Sequence, residues 1–131
     1  MDVSRFLLDT HTALWWWTDP APLGSAALAT LTAGQVELYV SVASVWEIAI
    51  KTQSGKLTMI ENFERDYRGL MRANEFRSLS VTDDHALKAG FLMSGHRDPF
   101  DRLIAAQAII EDMTVITRDR AIAKLGCTVI W

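Results

Sequence analysis

Cysteine, proline and positive charge are all in short supply in this sequence. A single cysteine, Cys127, excludes an internal disulfide and a cysteine-built zinc knuckle. With three prolines and seven glycines among 131 residues, the chain shows no linker, repeat or low-complexity segment. No apolar run reaches the ~18 residues that a membrane span requires. The opening Met1-Asp2-Val3-Ser4-Arg5 passes straight into Phe6-Leu7-Leu8, too short and too early charged for a signal peptide, so a cytoplasmic protein is expected. A net charge of −3 speaks against simple electrostatic capture of nucleic acid, which wants a basic footprint. It leaves room for a nuclease whose cations are metal ions held on its own carboxylates.

Half of the residues are hydrophobic and 22% are charged, the balance of a soluble globular protein. The length suits one domain, residues 1–131, burying roughly two thirds of its unfolded surface without disulfide staples. Arg5-Phe6-Leu7-Leu8 reads as a short buried strand that ends at the charge of Asp9. Helices are expected at His11–Trp17, at Leu23–Ala33 with Ser25 as a cap, at Val42–Gln53 and at Asn62–Asn74. Further helices are expected from the Thr82 cap to about Met93, at Phe100–Asp112, and at Asp119–Lys124. Val36–Val40, Arg77–Val81, Thr114–Thr117 and Thr128–Ile130 have strand composition. Phe100–Asp112 is apolar nearly all round, so it should be a buried helix whose alanines permit close approach. Helices between most pairs of successive strands predict an α/β fold with a largely parallel sheet.

In such a sheet, ligands bind outside the carboxyl ends of the strands. Asp9 follows the first strand directly, Glu47 lies early in the helix after the second, Asp101 is in the first turn of the buried helix, and Asp119 follows the Val115-Ile116 strand. This reading puts all four acids on one edge. Carboxylates without His or Cys partners suit hard octahedral ions, so Mg²⁺ or Mn²⁺ is expected, and the cation would relieve their mutual repulsion. Each acid also has a purely structural reading. Asp9 and Asp119 can cap the helices that follow them, and Asp101 can favour a positive helix end. Glu47 can close a capping box with Ser44 or pair with Lys51 four residues on. Asp98, before Pro99, has the pattern of an N-cap more than of a ligand. Trp46 reads as core.

Four blocks, Leu7-Leu8-Asp9-Thr10-His11, Trp46-Glu47-Ile48, His96-Arg97-Asp98-Pro99-Phe100-Asp101-Arg102-Leu103-Ile104-Ala105 and Thr117-Arg118-Asp119, stand in the order seen in PIN-domain nucleases. The chain resembles the VapC-like toxins of bacterial toxin–antitoxin pairs, in the subgroup with a DPFDR motif, from about residue 6 to the C-terminus. The resemblance implies a three-layer α/β/α sandwich on a five-stranded, mostly parallel sheet. It implies a Mg²⁺-dependent endoribonuclease, with Mn²⁺ able to substitute, and a homodimer restrained by a cognate antitoxin. Asp9, Glu47, Asp101 and Asp119 match the family's four acids, and Thr117 a Ser/Thr often found two residues before the last. Asp98 is an extra acid of the subgroup. Two other readings stand beside the toxin: a PIN-fold nuclease for RNA processing or DNA cleavage, and a non-catalytic PIN-like interaction module.

Hydrolysis of a phosphodiester by this set would use one metal ion or two, with Asp9 and Asp101 as the most direct ligands and Glu47 and Asp119 completing the site directly or through water. No protein nucleophile is evident: Cys127 has no neighbouring base and reads as a small core residue. His11, His85 and His96 lack metal-ligand spacing; His96 has two readings, an RNA contact and, at least as readily, a solvated loop residue. Arg102 and Arg118 flank the acids and are candidate phosphate contacts, as is Arg120, against a reading as surface or ion-paired arginines. Trp15-Trp16-Trp17 cannot all face one core at ~100° per residue. At least one is expected at a protein interface, with base stacking on RNA as the alternative.

Overall fold

The strand at Arg5–Leu8 (β1) is central to the sheet, because Leu7 and Leu8 are both fully buried and point to opposite faces. Leu7 packs with Ile104, Ala108, Met113, Val115 and Ile122 on one side. Leu8 packs with Ala13, Ala27, Leu31, Val40, Met71 and Ile116 on the other. Two cores on either side of one sheet make the three-layer α/β/α sandwich. The computed structural model describes residues 3–131; of the opening residues weighed above, Met1 and Asp2 lie outside that range.

From β1 the chain passes through α1 (Thr10–Thr18), α2 (Ser25–Leu31), β2 (Glu37–Ser41), α3 (Val42–Gln53), α4 (Phe63–Ala73) and β3 (Arg77–Leu79). It continues through α5 (Asp83–Phe91), α6 (Pro99–Glu111), β4 (Thr114–Ile116), α7 (Arg120–Ala123) and β5 (Val129–Ile130). The five strands lie in the order β3-β2-β1-β4-β5, and every pairing is parallel. Leu7 is in register with Tyr39 on one side and Val115 on the other. Among the described residues, no helix is long and apolar enough to cross a membrane.

Three expectations are corrected. Ser25 does not cap α2; Gly24 is the cap residue and makes no side-chain hydrogen bond. The carbonyl of Trp131 accepts from the amides of Ala26 (3.0 Å) and Ala27 (3.1 Å), doing for this helix end what a side chain usually does. A Cβ on Gly24 would lie 2.4 Å from that oxygen, which is why glycine stands there. Ser44 does not cap α3 either: Ser41 does, its Oγ accepting from Ala43 N at 3.0 Å, so Glu47 closes no capping box. Trp46 is not core but 61% exposed, because the buried face of α3 is Ala43, Ser44, Glu47 and Ile48. Val42, Trp46 and Ile50, spaced four apart, form an exposed apolar stripe along the same helix.

Candidate functional site

The chain leaves β1 at Asp9, builds outward to β2 and β3, and then returns to the other side of β1 as β4. The crevice where the strand order reverses lies between the carboxyl ends of β1 and β4, the place where open α/β sheets bind ligands. Asp9 and Thr117 meet there. Asp9 caps α1, with Oδ1 accepting from Thr10 N at 2.7 Å, while Oδ2 accepts from the Thr117 hydroxyl at 2.8 Å. The Thr117 oxygen in turn accepts from Asp119 N at 3.0 Å, which fixes the turn out of β4.

Asp9 is only 8% exposed. Burial pushes its carboxyl up to about 7, opposed by the hydrogen bonds from Thr117 and Thr10 and reinforced by the like charges of Asp101 and Glu47. Those charges come from two other elements, so two of the other expected acids act on Asp9 across the edge. Glu47 is buried on α3. Its Oε1 lies 2.7 Å from Thr10 Oγ1, which is also 2.8 Å from Ser44 Oγ. Thr10 has one hydroxyl proton; given to the carboxylate, it leaves Ser44 as donor to Thr10. The other Glu47 oxygen pairs with Lys51 Nζ at 2.6 Å. Lys51 is held above its ordinary pKa, first by that bond and then by the charges of Glu47, Asp98 and Asp101. It belongs to the acidic edge, a position the sequence reading treated only as a helix-surface pair.

Asp101, in the first turn of α6, meets His96 Nε2 at 2.8 Å. Burial raises its pKa, with Asp98 and Asp119 adding to the rise and His96 opposing it. Asp98 is the expected N-cap, Oδ1 accepting from Phe100 N (2.9 Å) and Asp101 N (3.0 Å). Asp119 is exposed and caps α7 through Ala121 N at 2.9 Å. The structural and functional readings of these acids are therefore compatible: a capping carboxylate has a second oxygen to offer.

The two arginines part company. All five N–H groups of Arg102 are spent on backbone carbonyls: Nε on Ala89, Nη1 on His96 and Ser94, Nη2 on Leu92 and Gly90, at 2.8–3.4 Å. It closes the C-terminus of α5 and holds the loop that carries His96, and no donor remains for a phosphate. Arg118 is exposed, with its Cζ 4.6 Å from the centroid of the Trp15 ring. Together with Asp9, His11 and Asp119 these two line an open cavity of about 360 Å³. Trp16 and Trp17 pack against the core, Trp16 donating to Asn74 at 3.0 Å, so the three indoles are all half-buried and only Trp15 reaches the acidic edge. Cys127 packs beside the Leu7 core, and burial raises its thiol pKa.

Among the described residues, no three His, Cys, Asp or Glu side chains converge tightly enough to hold a metal ion as they stand. Glu47 is drawn to Lys51 and Asp101 to His96. The donor chemistry nevertheless fits a hard divalent cation, and an Asp9 carboxyl raised first by burial and further by the charges of Asp101 and Glu47 is a site short of positive charge.

The PIN domain family model matches residues 6–126. Ribonuclease VapC22 of Mycobacterium tuberculosis (strain ATCC 25618 / H37Rv) is 32% identical over 119 residues, covering 90% of this chain and 89% of the relative. VapBC2 from Rickettsia felis, solved bound to a DNA fragment from its promoter, superposes with a TM-score of 0.70 at 15% identity, covering 96% of this chain and 97% of that one. FitAcB from Neisseria gonorrhoeae superposes at 0.67 with 21% identity, covering 96% of each chain. The sheet order, the acids at its carboxyl edge and these matches agree: the chain belongs to the PIN domain family and is a VapC-like member of it.

Proposed function

We propose that this protein is a metal-dependent endoribonuclease and the toxin of a toxin–antitoxin pair. The observation that carries the reading is Asp9, a buried carboxylate at the topological switch point, raised to about 7 and acted on by Asp101 and Glu47. Asp9 and Asp101 would hold Mg²⁺, or Mn²⁺ in its place, with Glu47 and Asp119 completing the set. The chemistry such an ion supplies is acidification of water and neutralisation of charge on the phosphate.

The chain's own residues prepare that chemistry. Thr117 holds one oxygen of Asp9 and the Thr10 amide the other, so the carboxylate's direction is fixed before any ligand arrives. Thr10 holds one oxygen of Glu47 in the same way, while Lys51 on Glu47 and His96 on Asp101 occupy the carboxylates until an ion would take their place. Arg118, exposed at the rim, is placed to meet a phosphate oxygen. Asp98 acts as the cap that seats α6, and so positions Asp101.

The name of the M. tuberculosis relative supports RNA as the substrate, and the solved VapBC complexes support an antitoxin as the partner. A second copy of this chain is the occupant we infer for the stripe of Val42, Trp46 and Ile50, which gives the homodimer. A cytoplasmic location belongs to the same reading. The test is cleavage of single-stranded RNA and DNA of one sequence, in Mg²⁺ and in excess EDTA, by the native chain and Asp101→Asn. Cleavage of RNA alone, lost in EDTA and in the variant, is expected. Equal cleavage in EDTA refutes metal dependence, and preference for DNA refutes the ribonuclease.

A further inference from the structure

Of the three consecutive tryptophans, Trp15 alone serves neither core. Trp17 sits among Phe63 and Phe76, and Trp16 is tied to Asn74. Trp15 is set in a different company: His11 at 5.6 Å between ring centroids, Trp131 edge-on at 5.8 Å, and Arg118 over its face. These groups come from α1, the turn after β4 and Trp131, and the cavity bordered by His11, Trp15 and Arg118 is also lined by Asp9 and Asp119. The sequence separation means that the fold, not local chain geometry, has assembled an aromatic and cationic wall directly beside the acidic edge.

Arg118 is the second observation. It is exposed, and it makes no ion pair among the described residues, although Asp119 is its neighbour in sequence. Its guanidinium is held instead against the indole, leaving the outer side free. A planar group with a π-face is what fits a guanidinium backed by an indole, and nucleobases stack on both arginine planes and aromatic rings. The cavity, about 360 Å³, is of the size that takes a small planar ligand. A base in a duplex has its faces covered by its neighbours, so the ligand must be unpaired.

We propose that His11, Trp15 and Arg118 form a nucleobase subsite that takes an unpaired base of single-stranded RNA next to the scissile phosphate. The proposal rests on the ribonuclease reading. The subsite gives the enzyme a preference among positions of the strand that its carboxylates, which would hold only the ion and its water, cannot supply. It also accounts for a mildly acidic protein holding RNA: stacking provides grip that net charge does not.

The test is an abasic scan. A fluorescent single-stranded RNA octamer, and versions with one base removed at each position, are titrated with the full chain in EDTA, where they are not cleaved. The same series is run on Trp15→Leu and Trp15→Phe, with circular dichroism confirming that each is folded. The native chain should lose about tenfold or more in affinity when one particular base is removed. Trp15→Leu should bind the intact octamer that much more weakly and be indifferent to the removal, with Trp15→Phe in between. A flat scan in the native chain, or an unchanged scan in both variants, overturns the subsite. So does a Trp15→Leu variant that keeps its RNA profile but loses self-association, because Trp15 would then be a protein contact. Cleavage in Mg²⁺ separates the two readings: RNA cut by the native chain with KM unaltered in Trp15→Leu sinks the subsite alone, and RNA left uncut sinks the ribonuclease.

Discussion

Replacing Asp9 by Asn should make the metal-free protein more stable at pH 8 while destroying its activity. The folded chain raises this carboxyl from 3.8 to about 7, so between those values it binds a proton that the unfolded chain has released. Stability from this group is therefore highest below pH ~4 and falls as pH rises towards 7. At about 1.4 kcal/mol per tenfold change in proton affinity, the full loss is about 4 kcal/mol by pH 8. Asn escapes that cost because it does not ionise. It can keep the cap on Thr10 N, but its NH₂ group cannot accept the Thr117 hydroxyl proton as Asp9 Oδ2 does, a mismatch worth about 1 kcal/mol. The net gain at pH 8 is about 3 kcal/mol, on the order of 10 °C in Tm for a domain of this size. At pH 5 most of the advantage disappears. Thermal unfolding of both chains in EDTA at pH 5 and pH 8, at one protein concentration, reads the effect. Saturating Mg²⁺ should close the gap by stabilising the native chain alone, by about 2.7 kcal/mol at a hundredfold excess over Kd. A variant less stable than the native chain at pH 8, or a difference that does not change with pH, refutes the reasoning.

Three further substitutions probe the parts that hold the site. Arg102→Met strands five carbonyls around α5 and the His96 loop and should cost about 2–4 kcal/mol in denaturant unfolding; Arg102→Lys, with three donors and no fork, should recover little of it. Gly24→Ala places a Cβ 2.4 Å from the Trp131 carbonyl, so the capping contact to Ala26 and Ala27 must open, with a loss of about 2–3 kcal/mol in the same assay. Thr117→Val removes a hydrogen bond that favours ionised Asp9, so the carboxyl pKa rises further and the acid limb of the pH–rate profile should move to higher pH; Thr117→Ser should leave that limb in place.

What the sequence disclosed depended on how local the signal was. The buried strand before Asp9, the Thr82 and Asp98 caps and the span of α3 all follow from neighbours in the chain, and the structure has them there. The acids could be grouped from the sequence because Asp9 and Asp119 follow strands, Asp101 stands in the first turn of a helix and Glu47 lies in the helix after β2, which points them to one edge without any knowledge of side-chain contacts. Arg102 was not legible, since its partners lie 6–13 residues back across a loop. One signal did exist: α5 ends at Phe91 with Leu92 and not a glycine as its cap residue, so its last carbonyls needed donors from elsewhere. The cap of α2 by Trp131, more than a hundred residues away, left no local trace except the glycine itself. Trp46 has the composition of core, a tryptophan in a largely apolar helix. The helical phase set by Ala43, Glu47 and Ile48 turns it outward. Lys51 was read as a surface partner because its i,i+4 spacing to Glu47 gives no warning that Asp98 and Asp101 stand nearby.

The central claim, a divalent cation held by carboxylates at the carboxyl edge of the sheet, is tested most directly by a crystal structure of the protein grown with Mn²⁺ and read by anomalous scattering. The account predicts an anomalous peak within about 2.0–2.3 Å of oxygens of Asp9 and Asp101, with Glu47 or Asp119 reached directly or through water. Glu47 or Asp101 should have turned from Lys51 or His96 to meet it. A peak bound elsewhere, or no peak at saturating Mn²⁺ with Lys51 still on Glu47 and His96 still on Asp101, would contradict it.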